Sequence, residues 1–245
     1  MKRITTILIS ACMLLFFSSC EKDELEPINT IPDADIPAFT AWLDNEGFVP
    51  GLSQGEMIQK METYTQNGES VANQLTGVHY DGYYGGGYAA SGEGFGFRND
   101  FQASENGKTA DYTNSFYTKV PLDGLQLPCG IEFEDTLHDV LDKLDINSDP
   151  SANFTADEGA DTVMTLYRDD RYTLIFKNWY LSKEPIEVDI PYELIFTENY
   201  TFTRESGRES NVTRTIKLTF KPEEKTVYDF SVEVHENYKL NAHVR

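Results

Sequence analysis

Catalysis or ion binding needs side chains that exchange protons, attack or hold a charge, and in these 245 residues the candidates are few. A hydrolytic site joins a nucleophile to a base, usually His, and to a group that orients the base. The histidines are His79, His138, His235 and His243, and none sits in a nucleophile-elbow or zinc-protease spacing. The 41 acids make chance carboxylate pairs certain, yet no local signature marks a pair for glycoside hydrolysis. The chain therefore reads as non-enzymatic, with no catalytic residue and no cofactor. Asp145-x-Asn147-x-Asp149 has the alternate oxygen ligands that open a calcium loop. Pro150 replaces the required Gly and Ala156 the bidentate Glu, so it reads as a solvated acidic loop and no metal site is assigned.

The segment Tyr80-Asp81-Gly82-Tyr83-Tyr84-Gly85-Gly86-Gly87-Tyr88 gathers four tyrosines among four glycines. It lacks the Lys-Ser/Thr that follows a phosphate-cradling loop. Tyr with Gly and Asp is the composition of adaptable recognition surfaces, because a rigid amphipathic ring loses little entropy on contact. Tyr80, Asp81, Tyr83, Tyr84 and Tyr88 are the expected ligand contacts. The plainer reading is a hairpin turning at Gly85-Gly86-Gly87 whose tyrosines flank a sheet.

Cys20 carries the most specific chemistry. Lys2 and Arg3 precede an apolar run from Ile4 to Phe17, 14 residues long. A bilayer span needs roughly 20, so the run has the length of a signal-peptide core. Phe17-Ser18-Ser19-Cys20 resembles the bacterial lipobox, with Phe17 where Leu is usual. The resemblance implies a lipoprotein, with residues 1–19 removed and Cys20 acylated by palmitate-type chains; the stretch 20–35, acidic with two Pro and no aromatic, has the composition of a flexible tether. Glu21-Lys22-Asp23-Glu24 resembles the acidic export tag of Bacteroidetes-type surface lipoproteins. That implies the outer membrane and its exposed side, with the periplasmic side as the alternative.

Removing residues 1–19 takes away Lys2 and Arg3 and no acid, moving the formal charge from -21 to -23. Such an excess repels nucleic acid and anionic lipid, so the membrane is met through the anchor alone and a basic protein partner is favoured. With Cys20 lipidated, Cys129 is the one thiol left and reads as a small core residue.

Helical spacing of Phe39, Trp42 and Leu43 after Asp35, ending at Gly47, predicts a first helix. Ser53-Gln54-Gly55-Glu56 is a capping box before Met57, Ile58, Met61 and Tyr64, and Thr136 to Asp139 is a second before Val140, Leu141 and Leu144. The two boxes lie 83 positions apart and strand-like sequence follows each, which suggests a repeat. Thr162 to Tyr167 and Arg171 to Lys177 read as a hairpin. Tyr192 to Arg204, Val212 to Lys221 and Thr226 to Tyr238 alternate apolar and polar residues as a meander does. The class is α+β: short helices on one side of an antiparallel sheet, in two tandem helix-then-sheet units. The boundaries are 36–125 for an N-terminal unit and 126–245 for a C-terminal unit with the long-stranded meander.

Leu127-Pro128-Cys129-Gly130-Ile131-Glu132-Phe133, the helix after it and the strands beyond resemble the unit of β-lactamase-inhibitor-protein-like modules. The small outer-membrane-assembly lipoproteins of that superfamily share the unit. The resemblance covers 127–180 and, faintly, 49–100; the Gly usual after the helix is Asp145 here. It implies a binding or inhibitory surface without a reaction. The expected function is thus an envelope protein that binds a protein or glycan ligand, of inhibitor or immunity type. Glycan capture beside an outer-membrane transporter and envelope assembly are the alternatives. Asp135-Thr136-Leu137 and Asp161-Thr162-Val163 resemble O-glycan acceptor triplets, although Thr136 is also the helix cap.

Overall fold

The computed structural model describes residues 35–82, 85–104, 108–145, 162–178 and 192–239, with backbone alone at 35, 78–82, 162–165 and 178. Its helices are α1 (Asp35–Asn45), α2 (Gln54–Glu62) and α3 (Leu137–Lys143). The α2 cap is reciprocal: Ser53 Oγ accepts the Glu56 N–H at 3.3 Å, and Glu56 accepts the Ser53 N–H at 2.7 Å. At α3, Asp139 accepts the Thr136 N–H at 2.9 Å and Thr136 Oγ1 accepts the Asp139 N–H at 3.2 Å. The shorter Asp thus closes the second box as fully as Glu closes the first, and each box satisfies two N–H groups that a helix start leaves free. Gly47, at φ +71°, ends α1 and lets the Phe48 N–H reach Leu43 O at 2.9 Å.

A two-stranded pair, β1 (Thr65–Gln66) and β2 (Glu69–Ser70), follows α2. Four strands come next: β3 (Thr76–Gly82), β4 (Gly85–Gly92), β5 (Phe95–Ala103) and β6 (Thr109–Thr118). After α3 come β7 (Thr162–Arg168), β8 (Tyr172–Asn178), β9 (Tyr192–Thr203), β10 (Glu209–Phe220) and β11 (Val227–Lys239). β3 to β11 form one antiparallel sheet in the order β3-β4-β5-β6-β11-β10-β9-β8-β7. The last strand of each helix-led stretch, β6 and β11, meets the other at the centre, Phe116 opposite Val232 and Asn114 opposite Val234. Both stretches therefore feed one sheet and one continuous core.

The glycines of the tyrosine-rich segment correct one expectation. Gly85, Gly86 and Gly87 are not a turn but the first residues of β4, opposite Gln102, Phe101 and Asp100. A Cβ on Gly85 would stand 2.5 Å from the Phe101 carbonyl, so close backbone approach explains at least that glycine. A turn at Glu93-Gly94 then joins β4 to β5.

The alternation of each long strand decides its faces. Phe196, Ile216, Phe230, Val232 and Phe116 are buried and turn toward the helices. Phe39 of α1 stacks on Phe196 at 4.7 Å, and Trp42 meets Phe230 edge-on at 5.4 Å while donating Nε1–H to Gln126 O at 2.5 Å. Burying one such ring stabilises the fold by about 1.5–3 kcal/mol. The loop between α1 and α2 is pinned to the sheet where Leu52 O accepts Tyr112 Oη–H at 2.6 Å and Asn99 Nδ2–H at 3.1 Å.

Candidate functional site

Opposite the helices, the sheet presents a second face that no described element covers. At its centre β6 contributes Asp111, Thr113, Ser115 and Tyr117, and β11 contributes Asp229, Ser231, Glu233, His235 and Asn237. Register brings Tyr117 beside Ser231, Ser115 beside Glu233 and Thr113 beside His235. β10 continues the face with Thr213, Thr215 and Lys217. These positions are half-buried or exposed, as expected of residues whose flanks are covered by neighbouring strands and whose tops are open.

The charges on this face are mostly matched. His235 Nε2 lies 3.2 Å from Asp111 Oδ1, and Asn237 Nδ2 donates to the same oxygen at 2.7 Å. Arg98 pairs with Asp100, Lys217 with Glu193 at 3.1 Å and Lys119 with Asp229 at 3.8 Å. Burial pushes the Asp229 carboxyl up, with Lys119 opposing, and burial does the same to Asp100. Glu233 is exposed at the middle of the face, and no described residue pairs with it. The His235–Asp111 pair could orient an imidazole, but a general base acts on a bound nucleophile in a site that excludes water. Here the two side chains are 39% and 44% exposed on an open sheet.

Tyr117 is the aromatic anchor of the face. A Cβ on Gly96, its cross-strand neighbour, would stand 2.9 Å from Tyr117 Cε1, so the ring lies across a glycine and is held there while 38% exposed. Sequence inspection passed over Tyr117 because only the register shows that it faces Gly96. An exposed tyrosine opposite a strand glycine is the signal that could have found it.

The expected contacts distribute otherwise. Tyr88 lies on the packed face, its ring 5.7 Å from that of Phe97 and crossing Gly77, where a Cβ would meet its hydroxyl at 1.9 Å. Tyr80 pairs with Gly87 and Asp81 with Gly86 on edge strand β3. Tyr83, Tyr84 and Cys20 lie outside the described residues, as do Asn147 and Asp149, and no group of three metal-ligating side chains occurs among the described residues. Cys129 is half-buried against the core at φ +57° in a 3₁₀ turn, Pro128–Gly130. That turn borders a cleft of about 590 Å³ lined by Leu122, Leu125, Leu127, Ile131 and Phe133.

Comparison of the chain with protein-family models, with curated proteins and with solved structures finds no match to any of them.

Proposed function

We propose that this chain is a lipid-anchored protein of the bacterial envelope that binds a basic protein through the open face of its sheet and catalyses no reaction. One observation carries the reading: β6, β10 and β11 turn a hydroxyl-rich face to solvent, with a glycine-seated tyrosine, Tyr117, and a carboxylate that no described residue pairs with, Glu233, at its centre. Flat surfaces of this kind suit a macromolecule better than a small substrate, which concave pockets enclose. Aromatic anchors and matched polar groups give such contacts energy and register. The mature chain's formal charge, -23 once Lys2 and Arg3 are removed with residues 1–19, would speed encounter with a cationic partner, an effect that falls as salt rises. The lipobox-like block at Cys20 and the resemblance of 127–180 to inhibitor modules support the same reading, with a secreted basic effector as the ligand.

Two measurements test it. Cys20→Ala should abolish fatty-acid incorporation and release the protein from membranes; unchanged labelling would remove the anchor. For binding, basic envelope proteins captured at low salt should be lost with Glu233→Lys and weakened with Tyr117→Ala. Lys221→Glu, a change in the β10–β11 turn region, should leave capture intact. Capture indifferent to both face variants would move the ligand elsewhere, and retention of a polysaccharide instead would favour glycan capture.

A further inference from the structure

The loop between β6 and α3, residues 119–136, encloses a space that the open face does not use. Its cleft of about 590 Å³ falls in the range of sites that take a small molecule, roughly 300–1,000 Å³. The lining comes from Pro121 to Phe133, one stretch of chain folded back on itself. Leu122, Leu127 and Ile131 belong to the core, and Leu125 and Phe133 are half-buried against it. An apolar body entering there would withdraw Leu125 and Phe133 from water, which favours association.

Both arms of the loop are held before any ligand arrives. On the first, Asp123 and Thr65 exchange backbone hydrogen bonds at 2.8 and 3.1 Å, and Gln126 O accepts the Trp42 Nε1–H. On the second, the Glu132 N–H donates to Asp135 Oδ2 at 2.7 Å and the Glu134 N–H to Val227 O at 3.1 Å. Between the arms the chain reverses through Cys129 and Gly130, both at positive φ. A cleft fixed in this way has little ordering left to do on binding.

Its polar groups set the kind of head. Glu132 is the one charged residue among the described lining; it is exposed, and no described residue pairs with its carboxylate. Gln126 also lines the cleft, with no described partner for its side-chain amide. The loop's other acids are engaged: Asp123 accepts the Thr65 hydroxyl, and Glu134 and Asp135 hold Lys221 and Lys143 at 3.2 and 2.5 Å. Its one cation, Lys119, pairs with Asp229 at 3.8 Å. A carboxylate or phosphate would meet Glu132 with no cation to balance it, whereas an ammonium would find a carboxylate and an amide oxygen.

We infer that this cleft is a site for an apolar primary amine, its hydrocarbon among Leu122, Leu125, Leu127, Ile131 and Phe133 and its ammonium on Glu132, with the Gln126 amide oxygen as second acceptor. The site shares no residue with the open face, so either can fail without the other.

4-Phenylbutylamine is the probe. 4-Phenylbutanoate keeps its body and reverses the charge, and butylamine keeps the head without the ring, all at equal ionic strength. Titration is followed by nitrogen–proton NMR of the whole chain. The probe should shift the backbone signals of Leu125, Gly130, Ile131 and Phe133 and saturate, with butylamine weaker by about 10-fold or more. Because Glu132 is exposed, Glu132→Gln should weaken the probe only about 2- to 5-fold. Glu132→Lys should turn the preference to phenylbutanoate. Glu205→Gln removes the same charge beyond the far end of β10 and should change nothing. Backbone signals of each variant report whether it is folded. Non-saturating shifts, phenylbutanoate or butylamine binding as tightly as the probe, a folded Glu132→Lys that still prefers the amine, or Glu205→Gln weakening the probe as much as Glu132→Gln would each overturn the site.

Discussion

Two nitrogens of the Arg214 guanidinium donate to one oxygen of Glu198, at 2.8 and 2.5 Å, and both side chains are sealed from solvent, 3% and 0% exposed. The other Glu198 oxygen accepts from Arg171 at 2.9 and 2.5 Å, while Arg214 reaches Asp44 of α1 at 2.5 Å. Tyr200 lies beneath both guanidiniums, its hydroxyl pushed up to about 12, first by burial. This network ties the end of α1 to β8, β9 and β10.

Its parts should cost very different amounts to remove. Glu198→Ala leaves Arg214 buried and without its main partner, which costs about 3–5 kcal/mol. Asp44 is 60% exposed, so Asp44→Ala should cost under about 1 kcal/mol. Replacing Glu198 and Arg214 together by leucines should recover much of the single-variant loss, because no unpaired charge remains. Urea unfolding of the three variants checks this; equal losses for Glu198→Ala and Asp44→Ala would deny the network its buried character.

The two caps offer a cleaner test, since they are remote in sequence and make the same bonds. Ser53→Ala and Thr136→Ala should each cost about 1 kcal/mol and add when combined. Glu56 also carries a pH signature. The Ser53 N–H and then the Ser53 hydroxyl hold its carboxyl below the ordinary value of 4.5. The folded state therefore binds fewer protons than the unfolded one in that range. The stabilisation is present above 4.5 and fades as pH falls through the lowered value, so acid unfolding of Glu56→Gln should lose this component.

These caps were legible because a box is a local pattern, and so were the long strands, whose alternation from Tyr192 to Tyr238 needs no partner to be read. The union of β6 with β11 was not, since nothing within either strand states which distant segment pairs with it. The ring-on-glycine pairs failed to show for the same reason: Tyr117 on Gly96 and Tyr88 on Gly77 are cross-strand relationships. Glycine misled at Gly85 because a turn and a close backbone approach demand the same residue.

Asp229 should behave in the opposite sense to Glu56. Burial raises its carboxyl above the ordinary 3.8, only partly offset by Lys119 and Lys217. A raised acid stabilises the fold below its unfolded value and withdraws that contribution as pH rises through the folded value. Asp229→Asn should therefore be as stable as the parent or more so at pH 7, and the advantage should disappear below about pH 3. Thermal melts across that range check the crossover, and a variant less stable at pH 7 would show that the Lys119 contact outweighs the burial.

Tyr88 decides how the tyrosine-rich segment is to be probed. Its ring packs against Phe97 and bridges Gly77 on the edge strand, so truncation opens a gap in the packed face. Tyr88→Ala should cost about 1–3 kcal/mol, less than a fully buried ring because Tyr88 is half-exposed. Tyr88→Phe should be nearly neutral, since no described residue hydrogen-bonds its hydroxyl. A ligand lost with Tyr88→Ala but kept with Tyr88→Phe would then be reporting damage to the fold. Loss with Tyr88→Phe at unchanged stability would return this tyrosine to the binding surface.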